Sequence, residues 1–332
     1  MKRIDYSVFA DHKDKYLEIL DLKLLQKGWD ILHTEIIARR PTCNIYPINI
    51  KDIIIADPRL LNTVYLDSKN LTDDEKNAAK CIFNYDYDSI KKISNISLSK
   101  IRKQKKHNQL IANFFIKNAE LLKITSCYYC EMNYIFPYAK NNKSKRMFDL
   151  DHFFGKGESP ITALSLYNLI PSCPICNSRI KGRKYLDNLY YLENEPAITN
   201  YSDLIPSNQN YDFDKDVKIK IEPDSVGFIS DIDRNSVVFE TRSIYSREIN
   251  AFDLEKRYNS IWIKKQALLL EELKQKWPFE RIKDVAEYLK SKGENTTEID
   301  IKNAIFHKDE DLDRNSIFSK LKRDILDLEQ KK

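Results

Sequence analysis

Four cysteines, arranged as two pairs, are the residues of this sequence that most directly suggest chemistry. Cys127 and Cys130 form the first pair, Cys173 and Cys176 form the second, and two residues separate the members of each pair. This spacing lets both thiolates of one turn reach the same ion, and zinc prefers four sulfur or nitrogen ligands in a tetrahedron. The pattern therefore predicts a structural Zn²⁺ site with four cysteine ligands.

A redox function is the alternative for a CxxC motif. It is less favoured here because two pairs coexist and no strand–helix–strand pattern surrounds either of them. The pairs lie 42 residues apart, which is longer than the usual zinc-finger interval, so the enclosed segment must hold structure of its own. Cys43 and Cys81 stand alone among apolar neighbours, and we predict that both are ordinary buried thiols.

An Asp-His dipeptide lies between the cysteine pairs. The segment 147–152, Met-Phe-Asp-Leu-Asp-His, alternates apolar and polar residues, which predicts a strand that sends Asp149 and Asp151 to one face. His152 then falls at the strand end, where a largely neutral imidazole can take a proton from water. Asp151 offers the hard oxygen ligand that suits Mg²⁺ or Mn²⁺. On its own, such a dipeptide is weak evidence, because a histidine more often has an ordinary hydrogen-bonding role.

Two asparagines extend this constellation. Pro174 suits the first position of a helix, which predicts that Asn177 and Lys181 lie on one helix face. The amide oxygen of Asn177 could complete a metal site and leave positions for water and phosphate. Asn168 is well placed to bond backbone groups. Since a single asparagine is usually a turn or cap residue, the argument depends on the combination.

This combination resembles the HNH family of His-Me finger endonucleases, in the subset that carries two CxxC pairs. The resemblance spans residues 127–182, and Asn177 stands where the third histidine of the family name is found, which is a common variant. The matching residues are Cys127, Cys130, Asp151, His152, Asn168, Cys173, Cys176 and Asn177, followed by Lys181 and Gly182.

The resemblance implies a ββα-metal core, a structural Zn²⁺ and one catalytic Mg²⁺ or Mn²⁺. It implies that His152 is the general base, that Asn168 braces the loop holding it, and that Asp151 and Asn177 bind the catalytic ion. The expected reaction is phosphodiester hydrolysis that leaves 5′-phosphate and 3′-hydroxyl ends. Basic residues near the motif are candidates to position flanking phosphates, namely Lys156, Arg179, Lys181, Arg183 and Lys184.

The sequence around the motif is also similar to that of HNH effector subunits of bacterial anti-phage systems of the Septu type, which work beside an ATPase. This similarity implies a role in phage defence and an ATPase partner subunit. We expect DNA, rather than RNA, as the substrate. Two alternatives stay open: an RNase that uses the same site, and a non-cleaving zinc-dependent module that binds nucleic acid.

The charge distribution agrees with a polyanionic partner. The whole chain carries a formal net charge of +5, yet positions 100–184 contain 16 basic and 5 acidic residues. Positive charge therefore gathers on the segment that carries the motif, as expected if that segment approaches a phosphate backbone. A solvated lysine-rich surface would give the same count.

The surrounding sequence predicts an α+β protein that is predominantly helical, with helical regions on both sides of the nuclease core. We divide it into a helical region at 1–105, the core at 106–190, and a C-terminal region at 191–332 that begins with a β-hairpin. Helices are predicted at 16–25, after a capping box at Thr72–Glu75, at 110–116, over 251–277, after Pro278 and over 317–328. Residues 44–55 suggest a strand or an extended loop, and 226–230 with 236–240 suggest the hairpin.

No apolar run approaches the roughly 20 residues that span a membrane, and the first residues lack the apolar core of a signal peptide. We therefore expect no membrane association and a cytoplasmic location.

Overall fold

The computed structural model describes residues 1–83, 107–140, 143–223, 232–306 and 316–326. Within these ranges the protein is predominantly helical, with small two-stranded sheets, as predicted. The helices of the first half are α1 (His12–Glu18), α2 (Leu22–Arg39), α3 (Ile50–Ile54), α4 (Pro58–Asp67), α5 (Asp73–Phe83) and α6 (His107–Lys117). A π-helix covers Ile175–Lys181. The later helices are α7 (Leu186–Leu189), α8 (Phe213–Asp216), α9 (Tyr245–Ala251), α10 (Leu254–Tyr258), α11 (Ile261–Lys276), α12 (Phe279–Ser291), α13 (Glu298–Ile305) and α14 (Ser319–Ile325).

The described strands form antiparallel pairs, each joined in sequence order. The pairs are β1 (Pro137–Lys140) with β2 (Lys143–Arg146), β3 (Asp149–His152) with β4 (Leu169–Ser172), and β5 (Lys218–Pro223) with β6 (Asn235–Glu240). The predicted strand around the Asp-His dipeptide is therefore confirmed as β3.

The chain forms two compact units. The larger comprises Lys2–Tyr129 and Ile135–Asp212, and the smaller comprises Met1, Cys130–Tyr134 and Phe213–Lys332. The three-region division predicted from the sequence stays a prediction.

The helical part of the larger unit has a fully buried apolar face along α2. Trp29, Leu32 and Ile36 are all inaccessible to solvent, and the Trp29 ring meets Phe83 of α5 edge-on at 5.9 Å between centroids. The predicted capping box starts α5, because the Glu75 amide donates to Thr72 Oγ1 at 3.2 Å and the Thr72 amide donates to Glu75 Oε2 at 2.7 Å. The predicted helix before the first cysteine pair is confirmed as α6.

Two local predictions for this region were partly wrong. The helix expected at 16–25 is interrupted, since α1 ends at Glu18 and a new helix begins after Asp21, whose carboxylate accepts from the Leu24 amide at 3.2 Å. In the segment 44–55, residues 44–49 form a loop, which was the alternative to a strand, and the second half differs from both predictions. That half is α3, which begins where Asn49 accepts a hydrogen bond from the Lys51 amide at 3.0 Å.

The smaller unit contains the β5–β6 hairpin and the last helices. Strand β6 confirms the prediction at 236–240, but its partner is β5, and residues 224–231 lie outside the described residues. The helix predicted over 251–277 is divided among α9, α10 and α11. Pro278 precedes the first residue of α12, and Gly293 follows that helix with a φ of +87°, a conformation that glycine adopts without strain. Of the final predicted helix, Ser319–Ile325 is helical and the positions after 326 lie outside the described residues.

Within the described ranges, no helix is both long enough and apolar enough to cross a membrane.

Candidate functional site

The four paired cysteines come together in one buried cluster. The sulfur atoms of Cys127, Cys130, Cys173 and Cys176 all lie within 4.8 Å of one another. A tetrahedral zinc with Zn–S bonds of about 2.3 Å would separate its sulfurs by roughly 3.8 Å, which lies within this limit. The donor set and the spacing therefore fit a structural Zn²⁺ site.

Backbone and side-chain amides also point at these sulfurs. The Cys173 amide donates to Cys127 Sγ at 3.2 Å, and the Cys176 amide donates to Cys173 Sγ at 3.5 Å. Cys130 Sγ accepts from the Met132 amide at 3.5 Å. Such N–H···S contacts stabilise thiolates, which are the form that binds a metal.

Cys43 and Cys81 differ from this cluster. Both are half-buried, so they are less buried than predicted. Partial burial raises the pKa of Cys81, which opposes formation of its thiolate.

The Asp-His dipeptide lies on the first strand of a strand–loop–strand–helix unit. In the antiparallel register of β3 and β4, Asp151 faces Ile170 and His152 faces Leu169. The loop between the strands closes with a hydrogen bond from the Phe153 amide to the Asn168 carbonyl at 2.9 Å. The π-helix follows β4 after a short connection, so the two strands and the helix are consecutive in the chain.

Asn168 ties this loop together through its side chain. It is completely buried, and its Oδ1 accepts from the Phe154 amide at 2.7 Å. Its Nδ2 donates to the carbonyls of Phe154 at 3.1 Å and Thr162 at 3.0 Å. Because one side chain satisfies three backbone groups on both arms of the loop, its position fits the predicted bracing role.

His152 has one ring nitrogen fixed by the same loop. Its Nε2 lies 3.1 Å from the carbonyl oxygen of Ala163. A carbonyl can only accept, so Nε2 must carry the proton of this bond, and Nδ1 is then the nitrogen with the lone pair. Burial of the ring lowers the His152 pKa to about 3, and the charges of Lys156 and Lys181 add to this effect. The imidazole is therefore neutral near pH 7.

Asp151 is buried, and its carboxylate is held by two donors. Tyr129 donates its hydroxyl hydrogen to Oδ2 at 2.7 Å, and the Lys181 ammonium lies 2.6 Å from the same oxygen. Lys181 also donates to the carbonyl of His152. Burial raises the pKa of Asp151, while the cation and the hydrogen bonds oppose this effect.

Asn177 and Lys181 both lie on the π-helix. Pro174 has helical backbone angles at its start, as predicted, although the helix is wider than an α-helix. Asn177 Nδ2 donates to Asp149 Oδ2 at 3.1 Å, so its partner in this arrangement is Asp149 rather than Asp151. Both aspartates of β3 thus face this helix, as the alternation predicted.

Asp151, His152 and Asn177 line one pocket of about 630 Å³ in the larger unit. A carboxylate and an amide among the lining side chains are a donor set of the kind that fits a hard cation such as Mg²⁺. The Lys181 ammonium already places a positive charge on this carboxylate. Further basic residues line the pocket, namely Lys80, Lys156, Arg183 and Lys184.

Of the basic residues predicted to contact phosphates, Lys181 is misassigned. It is 4% exposed, and its ammonium forms a buried ion pair with Asp151. Arg179 is not among the pocket-lining residues, whereas Lys156, Arg183 and Lys184 are. Sequence reasoning also missed Tyr129. Its position inside the first cysteine pair carries no signal for its contact with a carboxylate 22 residues away.

No protein-family model, curated protein or solved structure matches this chain.

Proposed function

We propose that this protein is a metal-dependent endonuclease of the HNH type that hydrolyses phosphodiester bonds in DNA. The observation that carries the proposal is the shared pocket of His152, Asp151 and Asn177 at the end of a strand–loop–strand–helix unit. A neutral imidazole, a buried carboxylate and an amide in one basic pocket supply a general base and oxygen ligands beside sites for phosphate.

In this mechanism His152 acts as the general base. Its Nε2–H bond to Ala163 holds the ring in the tautomer whose Nδ1 carries the lone pair, and Nδ1 is the atom that would take a proton from the attacking water. Asn168 prevents the loop from shifting by bonding Phe154 and Thr162. Lys181 fixes the carbonyl of His152 itself. Hydrogen bonds therefore hold the ring of His152, its backbone carbonyl and the loop that follows it.

Asp151 and Asn177 would hold the hard cation. When bound, Mg²⁺ or Mn²⁺ would offset the charge that develops on the scissile phosphate and on the leaving oxygen. Lys181 stays close enough to Asp151 to neutralise part of its charge. Lys156, Arg183 and Lys184 would bind the neighbouring phosphates and so orient the backbone across the pocket.

The structural zinc would have no part in the reaction. Four buried thiolates leave no open position for water or substrate, which is the property of a structural site. Its proposed role is to hold the segments before β1 and after β4. The similarity to Septu-type effectors extends the proposal to phage defence with an ATPase partner.

One observation favours a second candidate, a non-cleaving module that binds nucleic acid. Asp151 is already paired with Lys181 at 2.6 Å, so its charge is balanced without any metal. In such a module the same contacts would stabilise the fold, and the basic pocket would bind phosphates without hydrolysis.

Cleavage of end-labelled oligonucleotides by the purified protein tests the proposal. With Mg²⁺ or Mn²⁺ the wild type should cleave DNA to 5′-phosphate ends, and His152→Ala should lose this activity while it keeps its fold. His33→Ala is the matched control, because His33 Nε2 also lies near a backbone carbonyl, that of Tyr46, at 3.2 Å. Retained cleavage by His152→Ala would refute the mechanism. Cleavage of RNA but not DNA of the same sequence would assign the site to an RNase.

A further inference from the structure

The β1–β2 hairpin is an exposed arm with an unusual composition. Residues 136–147 contain four basic and no acidic side chains, together with Phe136, Tyr138 and Met147. Tyr138 is 43% exposed, Phe136 is 41% exposed and Met147 is 45% exposed. The hairpin therefore combines exposed apolar groups with positive charge in one short segment.

The strand register brings an aromatic ring and a cation together on one face. Tyr138 lies directly opposite Lys145, and Pro137 lies opposite Arg146. Directly opposed residues of an antiparallel pair project to the same side of the hairpin, so Tyr138 and Lys145 are neighbours on one face. Both are exposed to solvent. A base that stacked on the ring would have its phosphate within reach of the ammonium.

The hairpin is connected directly to the strand that carries the proposed catalytic residues. Two residues separate β2 from β3, and one of them, Phe148, is 2% exposed and anchors the connection. Arg146 lies over the Phe148 ring at 5.8 Å, which ties the base of the hairpin to this anchor. Five residues of extended chain cover at most about 18 Å, so Arg146 at the hairpin base lies within that distance of Asp151.

From these observations we propose that the β1–β2 hairpin binds a single-stranded segment of nucleic acid next to the cleavage site. Unpaired bases stack on Tyr138 and Phe136, and Lys145 contacts the adjoining phosphate from the face that it shares with Tyr138. Stacking selects unpaired bases because a base inside a duplex presents no free ring face. The inference rests on the proposed function for the identity of the site, and it adds that the substrate has single-stranded character near the scissile bond.

The binding test uses full-length protein and fluorescein-labelled oligonucleotides, one single-stranded and one duplex of the same sequence. Fluorescence anisotropy without added Mg²⁺ or Mn²⁺ measures affinity in the absence of cleavage. Tyr138→Ala should weaken single-strand binding by roughly fivefold or more, because one stacked base is lost. Tyr191→Ala is the matched control in the same unit, since Tyr191 is 62% exposed and lies outside the hairpin.

The contribution of the hairpin's positive charge is measured separately, through the salt dependence of binding. Lys145→Ala should reduce the slope of log affinity against log salt by about 0.7, since each phosphate contact on a single strand contributes about that much. Lys27→Ala, at an exposed position on α2, should leave the slope unchanged. Circular dichroism of each variant should match the wild type, because all of the substituted side chains are exposed.

Affinity and salt slope that match the wild type in all hairpin variants would overturn the inference. An equal loss of duplex and single-strand affinity in Tyr138→Ala would overturn the assignment of stacking. Failure of the proposed function is distinguishable from both results. A wild type that binds through the hairpin but never cleaves with Mg²⁺ or Mn²⁺ refutes the nuclease and leaves this surface intact.

Discussion

The cysteine cluster and the Asp151–His152 pocket are built on opposite principles. The cluster gathers four buried sulfurs, with backbone amides directed at them. The pocket places a buried carboxylate and a half-buried imidazole against about 630 Å³ of open volume. A closed donor set gains stability from a metal, whereas an open one can exchange water and substrate. The comparison predicts that loss of a cysteine ligand unfolds the protein. It also predicts that substitutions in the Asp151–His152 pocket can abolish activity while the protein stays folded.

The largest effect is expected from Cys173→Ser. Loss of one thiolate should remove the zinc and leave the protein insoluble or misfolded, because structural zinc can contribute about 10 kcal/mol or more to folding. Zinc content and circular dichroism are the measurements. Cys43→Ser, at a half-buried cysteine outside the cluster, should retain both zinc and fold. A well-folded Cys173→Ser protein without zinc would show that the cluster does not support the fold.

Lys181→Met tests the Asp151–Lys181 ion pair of the pocket. It should lower the free energy of unfolding by about 3–5 kcal/mol, because it leaves Asp151 buried without its cation. Chemical denaturation measures the change. Lys184→Met alters an exposed lysine of the same pocket and should change stability little. If the two variants are equally stable, the Asp151–Lys181 contact is not a buried ion pair in solution.

Asn168→Ala tests whether Asn168 positions the loop that holds His152 or only stabilises the protein. Removing this buried side chain leaves the Phe154 amide without its acceptor, and we expect a loss of about 3 kcal/mol in stability together with slower cleavage. Asn208→Ala is the control, because Asn208 is also buried and donates to the Ser202 carbonyl at 2.7 Å, away from His152. It should lose comparable stability and keep its cleavage rate. Equal cleavage rates in the two variants would contradict a bracing role for Asn168.

The smallest effect concerns Asp67 of α4 and its polar partners. Hydrogen bonds from Arg40 and Asn70 outweigh the opposing effect of burial and lower the Asp67 pKa to about 2. Because the folded pKa lies below the ordinary value, the stabilisation is complete above about pH 4 and is lost as the pH falls toward 2. Asp67→Asn should therefore cost about 2 kcal/mol at pH 7 and much less near pH 2. A cost that does not change with pH would contradict this assignment.

The sequence predicted the parts of this molecule that depend on residue type and local spacing. The CxxC pairs specify a sulfur cluster, Thr72 and Glu75 begin α5, and the alternation around Asp151 gives β3. The helix α3 was missed although Ile50, Ile53 and Ile54 follow helical spacing and Asn49 is a favourable cap. There, the β-branched composition was weighted above the periodicity.

The rest depends on contacts between residues distant in the chain. Nothing near Lys181 indicates that it turns inward to Asp151, 30 residues earlier, instead of outward to phosphate. Strand β6 pairs with β5 across a long connection, so its partner could not be chosen from turn residues alone. The predicted role of Asn168 came from the family resemblance, and only the folded loop reveals which backbone groups it binds.

The most direct test of the account asks whether two metals have two separate roles in one sample. Zinc content per chain and cleavage of plasmid DNA would be measured on the same purified wild-type protein, before and after Mg²⁺ or Mn²⁺ is added. The account predicts one tightly bound zinc throughout, no cleavage before the addition and cleavage after it. Cleavage that proceeds with zinc as the only metal, or no cleavage at all by a folded, zinc-loaded protein, would contradict it.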